Sequence, residues 1–83
     1  ERNRIRMIGA GITIEKEKQF GKFVSLIPYT NIVKGLTLTG FKYPLDHYDF
    51  RGFCSLGVSN EIIAESAQIT FEDGILIVIE ARD

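Results

Sequence analysis

The sequence predicts an all-β domain, a two-sheet sandwich or jelly roll with essentially no helix, and three observations lead there. Where apolar residues recur regularly they do so with period two, the spacing that puts every other side chain on one face of a strand. No window of helical length carries an apolar stripe at i, i+3 and i+4. Short runs of β-branched and aromatic residues are separated by Gly, Pro, Asn and Asp, the residues that turn a chain. Many short strands at this spacing fold into architectures that leave few exposed edges.

Taken in order, residues 5–8, 11–15, 22–28 and 36–43 are strand candidates. Within the last of these, Gly40 marks a bulge or a close backbone approach, which leaves open whether Phe41 and Tyr43 share a face with Leu36 and Leu38. Pro44 donates no backbone hydrogen bond and forces Tyr43 into extended geometry, so the strand ends or lies at an edge there. The run DHYDFRG, residues 46–52, reads as an exposed loop. Residues 60–66 read as extended rather than as a helical turn. Ala67, Ile69 and Phe71 alternate with Gln68, Thr70 and Glu72, a half-buried strand. Glu72-Asp73-Gly74 then predicts a tight turn, with residues 75–80 returning as the hairpin partner. Residues 75–79 are apolar on both parities, which predicts cover on both faces, inside a sandwich or against another subunit.

At 83 residues the chain reads as one domain, and a domain of this size buries about 60–65% of the surface its unfolded chain exposes. A 45% apolar composition with charges of both signs fits a globular domain rather than a disordered tail. The formal net charge is −1, and Arg2, Arg4 and Arg6 form only a local basic cluster, so the footprint of a nucleic-acid binder is missing. The longest strongly apolar run is too short to cross a bilayer and no charged-then-apolar leader precedes it, which makes a cytoplasmic location the expectation. Cys54 is the only cysteine, so no internal disulfide can form, and Gly52, Phe53 and Leu56 around it favour a small buried hydrophobe over a reactive thiol. His47 with Asp46 and Asp49 lacks the count and spacing of a metal site, and no nucleophile stands beside an orienting base.

The strings GLTLTGFKYPL (residues 35–45) and GVSNE (57–61), with SLIP (25–28), DGILIVI (73–79) and the closing Arg82-Asp83, resemble the C-terminal domain of bacterial thiamine pyrophosphokinases. The resemblance covers nearly everything from Lys22 onward and rests on the pairing of the first two strings at this separation. It implies a jelly-roll-like β-sandwich that binds thiamine and forms a homodimer. The active sites of such a dimer lie between the first domain of one subunit and the β-domain of the other. It also implies a piece of a larger enzyme. The Mg and ATP would be bound by an N-terminal α/β domain with aspartate-rich motifs. The present chain starts at Glu1, carries neither those motifs nor a G-x-x-x-x-G-K-S/T phosphate loop, and is expected to be inactive alone.

Tyr43, Ser59 and Asn60 are the candidate substrate-binding residues. Tyr43 is placed at a rim by Pro44, and an aromatic face attracts a cationic ring by roughly 0.5–2 kcal/mol. By the residues alone it is a packing aromatic at a strand end; the resemblance makes it the platform for thiamine. An aminopyrimidine edge presents donors and acceptors that a carboxamide and a neighbouring hydroxyl can answer. Ser and Asn are equally residues whose side chains satisfy nearby backbone in turns, and both roles can hold at once. Lys42 reads as a solvated strand charge whose stem covers apolar surface. Two functions from different classes follow. One is the thiamine-binding domain of a pyrophosphokinase; the other is a non-enzymatic β-sandwich that pairs a strand edge with a partner protein.

Overall fold

The computed structural model describes residues 2–52 and 59–82. Cys54, Phe53 and Leu56, with Gly57 and Val58 of the second signature string, lie outside the described residues, as does Asp83. Eight strands form: β1 (Asn3–Ile8), β2 (Ile12–Glu15), β3 (Phe23–Pro28), β4 (Ile32–Thr39), β5 (Leu45–Arg51), β6 (Asn60–Glu61), β7 (Ser66–Thr70) and β8 (Leu76–Ala81), with one 3₁₀ turn at Lys16–Lys18. They make two four-stranded antiparallel sheets in the orders β1-β8-β3-β6 and β2-β7-β4-β5. This is the all-β two-sheet sandwich expected, with jelly-roll winding: among the described strands only β4 and β5 are consecutive and paired, and every other link crosses between sheets.

That winding corrects one expectation. β7 and β8 are not a hairpin, because β7 pairs with β2 and β4 while β8 pairs with β1 and β3. The turn at Gly74 is real, with φ of +113°, but it carries the chain from one sheet to the other. Asp73 bridges to Lys34, and a Cβ on Gly74 would press on the Ile32 carbonyl at 2.7 Å. Turn residues announce a reversal and do not say whether the two arms bond to each other. A second correction concerns residues 46–52, which form not a loop but most of β5, an edge strand. Its charges disguise it, and charged side chains are what keep an edge strand from pairing with a stranger.

The core lies between the sheets. Val24, Leu26, Leu76 and Val78 come from the first sheet; Ile14, Val33, Leu36, Leu38, Phe50, Ala67 and Ile69 come from the second; Phe41 and Ile62 close one end. One inward row of the first sheet is different. Arg4 stands opposite Glu80, Glu80 opposite Val24 and Val24 opposite Asn60. Glu80 and Asn60 are therefore in line, and both are buried. Arg4 Nη2 and Arg6 Nη2 reach Glu80 Oε2 at 2.7 and 2.9 Å, and the Phe20 N–H donates to Oε1 at 3.3 Å. Burial, the largest single influence, raises the Glu80 pKa. The hydrogen bonds from Arg4 and Phe20 and the Arg6 and Arg4 charges together outweigh it, so the carboxyl sits below its ordinary value.

Candidate functional site

The site grows from the corner where the β4–β5 connection meets β6. β4 runs Leu36 and Leu38 into the core and then meets Gly40, whose φ is +80° and whose missing Cβ would collide with the Ser66 carbonyl. This kink answers the question of faces: Phe41 drops into the core at 3% exposure while Tyr43 is 55% exposed. Residues 40–43 then run beside 60–64. Lys42 N–H donates to the Glu61 carbonyl at 2.8 Å, the Ile63 and Ala64 N–H groups donate to the Gly40 carbonyl at 2.9 and 3.2 Å, and Phe41 bridges Ile62.

Asn60 extends this local ladder with its side chain. The Tyr43 N–H donates to Asn60 Oδ1 at 2.9 Å and Asn60 Nδ2 donates to the Tyr43 carbonyl at 2.8 Å, so the carboxamide bonds the Tyr43 backbone as a facing strand residue would. Oδ1 also accepts the Glu61 N–H at 3.0 Å. Two N–H donors at one end and a carbonyl at the other fix the amide's orientation, since the flipped amide would set donor against donor. Three of the four hydrogen-bonding positions of the carboxamide are thus used, which leaves one N–H.

Ser59 is exposed, with φ of +52°, a region unfavourable for a residue with a Cβ. Its N–H donates to Ser25 Oγ at 2.9 Å. Ser25 lies on the outward parity of β3, opposite Ile79 of β8. The three predicted residues are therefore brought to one corner, Tyr43 and Ser59 facing outward and Asn60 beneath them. Lys42 is exposed as expected, and its ammonium stands 5.5 Å from the centroid of the Tyr43 ring. Ser25 was within a signature string yet not singled out. The available signal was a hydroxyl on the outward parity of a strand whose other outward residues, Phe23 and Ile27, are apolar.

Asp46 and His47 form an exposed pair, Nδ1 to Oδ1 2.6 Å, and Asp49 Oδ1 accepts the Gly35 N–H at 3.2 Å. Among the described residues no three His, Cys, Asp or Glu side chains converge as a metal site would require. Two surface hollows, of about 700 and 670 Å³, are lined by Thr13, Glu15 and Glu65 in one case and by Ile27, Tyr29 and Arg51 in the other, not by the Tyr43 corner.

Residues 11–76 match the family model described as "Thiamin pyrophosphokinase, vitamin B1 binding domain". The chain is 38% identical over 84 residues to a thiamine pyrophosphokinase of Bacillus subtilis (strain 168), covering 100% of this chain and 39% of that protein, its C-terminal part. The crystal structure of thiamine pyrophosphokinase from Bacillus subtilis superposes with a TM-score of 0.90 at 37% identity, over 100% of this chain and 39% of that one. The thiamin pyrophosphokinase from Geobacillus thermodenitrificans gives 0.88 at 34% identity, over 99% and 38%. The chain thus spans well under half the length of these relatives.

Proposed function

The chain belongs to the thiamin pyrophosphokinase family, as its vitamin B1 binding domain, and from that premise we propose that it seats thiamine in an enzyme that transfers pyrophosphate from ATP to thiamine, giving thiamine diphosphate and AMP. The observation that carries this reading is the exposed Tyr43 ring on a backbone clamped at both its N–H and its carbonyl by the buried Asn60 amide. A thiazolium needs a flat electron-rich face held still, and a ring whose main chain is fixed loses less freedom on binding. Ser59 offers its hydroxyl, and Asn60 its one remaining N–H, to the aminopyrimidine edge. Asn60 acts mainly from below, by fixing where Tyr43 stands.

Transfer of this kind depends on holding the acceptor oxygen in line and on neutralising the charge that develops. This domain's own part is binding and orientation. Mg and ATP belong to the α/β domain of the longer enzyme, and the present chain alone has no catalytic activity. The enzyme works in the cytoplasm as a homodimer, without nucleic acid or membrane as partner. No helix among the described residues is long and apolar enough to cross a membrane. Support for the dimer comes from the outward face of the first sheet, where Ile5, Met7 and Ile27 are exposed at 66%, 58% and 47% beside Ile77 and Ile79. Contiguous apolar surface of this kind marks a docking face.

The test is Tyr43→Ala in the full-length enzyme. Loss of the ring raises the thiamine KM by about 3- to 30-fold, with the ATP KM unchanged. An unaltered thiamine dependence refutes the seat.

A further inference from the structure

We propose that Ser25 is a positioning residue for the thiamine-binding rim, acting through Ser59; the inference rests on the Tyr43 corner being the thiamine seat. Ser59 adopts a left-handed backbone, φ +52°, without being glycine, and such a conformation persists only where the surroundings impose it. On the C-terminal side the constraint is Asn60, which pairs with Val24 in the sheet and with Tyr43 through its side chain. At Ser59 itself the constraint is the Ser25 hydroxyl, which accepts the Ser59 N–H at 2.9 Å.

The placement of Ser25 explains why the hydroxyl is available. It occupies the outward face of β3 in the row Ile5, Ile79, Ser25, beside the apolar row Met7, Ile77, Ile27. A β-strand position flanked on that face by Phe23 and Ile27 has no packing need for a serine. Among the described residues the Ser25 hydroxyl forms one hydrogen bond, and in it the oxygen is the acceptor. The required property at position 25 is an acceptor oxygen carried on Cβ, a property threonine keeps and that valine, of threonine's shape, lacks. Without it the Ser59 backbone relaxes away from the left-handed region, and the direction of the Ser59 hydroxyl changes with it.

The experiment is steady-state kinetics of the full-length enzyme with thiamine varied at saturating ATP, for Ser25→Thr, Ser25→Val, Ser25→Ala and Tyr43→Ala. The expected result is a thiamine KM raised about three- to tenfold in Ser25→Val and Ser25→Ala, with kcat nearly unchanged and Ser25→Thr close to the parent. Should Ser25→Val fail to fold, Ser25→Ala carries the comparison with Ser25→Thr. A thiamine KM that stays at the parent value in Ser25→Ala while Tyr43→Ala is impaired overturns the role of Ser25 and leaves the thiamine seat standing. Equal impairment of Ser25→Thr and Ser25→Val also overturns it, because the hydroxyl is then irrelevant. A parent-like Tyr43→Ala overturns the seat itself, and this inference with it.

Discussion

On one outer face of the sandwich Ile5 stands opposite Ile79 and Met7 opposite Ile77, with Ile27 continuing the row. On the other, Thr13, Gln68 and Thr39 stand in line beside the Thr37–Thr70 pair. Both sheets obey the same inward rule, since residues of one parity are buried in each. They differ only in the parity that the core does not need. Strand alternation thus fixes what goes inside, and the outward parity is free to differ, polar on the threonine face and apolar on the isoleucine face. Ser25 and Ser59 sit at the border of the isoleucine face, which puts the proposed thiamine rim next to the surface proposed to meet a second subunit.

Four variants test this contrast. The largest effect comes from what both sheets share: Phe50→Ala, at a side chain 1% exposed between them, costs about 3–5 kcal/mol in chemical denaturation. A cost near zero means the inward parity is not the core. Next, Ile5→Lys combined with Met7→Lys on the isoleucine face weakens self-association by about 2–4 kcal/mol, read by light scattering across a dilution series. A dimer indifferent to these charges removes the face from the interface.

The third prediction concerns the inner row that only the first sheet carries. Glu80→Gln costs about 1–3 kcal/mol near neutral pH, less than a fully buried pair would, because Arg4 and Arg6 are 44% and 36% exposed and rehydrate. The Glu80 pKa is lowered on folding, so its contribution is fully present above the pKa of the unfolded chain and is lost as pH falls through the folded value. Urea melts of parent and Glu80→Gln therefore converge in acid, the gap beginning to close only below the ordinary glutamate range, and a gap that stays undiminished to the lowest pH contradicts the ion pairs. The smallest effect is Thr39→Lys on the threonine face, within about 0.5 kcal/mol in stability and without change in association. Disruption of the dimer by this variant would mean that the contrast between faces has no functional content.

The legibility of the chain follows the same division. The strand of residues 66–70 is plain because its alternation is regular, whereas the apolar run 75–79 predicts cover on both faces and within the chain only Leu76 and Val78 are buried. β5 reads as a loop because its apolar residues Leu45, Tyr48 and Phe50 do not alternate regularly: register shifts against β4 and the positive φ of His47 break the period of two that marks a strand. The Tyr43, Ser59 and Asn60 corner was visible through Pro44, a turn-forming Ser-Asn pair and the family strings. The bonds that build it were not, because they join residues 17 and 34 positions apart.

The β class, the inward row of residues 67–71, the end of the strand at Tyr43-Pro44 and the family strings were legible in the sequence, because they depend on local backbone preference and period. Tertiary structure decided that residues 66–70 and 76–81 belong to different sheets, that Gly40 turns Phe41 inward and frees Tyr43, and that the Asn60 amide holds the Tyr43 backbone. The reason is physical: periodicity states which side of a strand is apolar, whereas a hydrogen-bond partner is chosen only when distant segments compete for the same donors and acceptors in the folded chain.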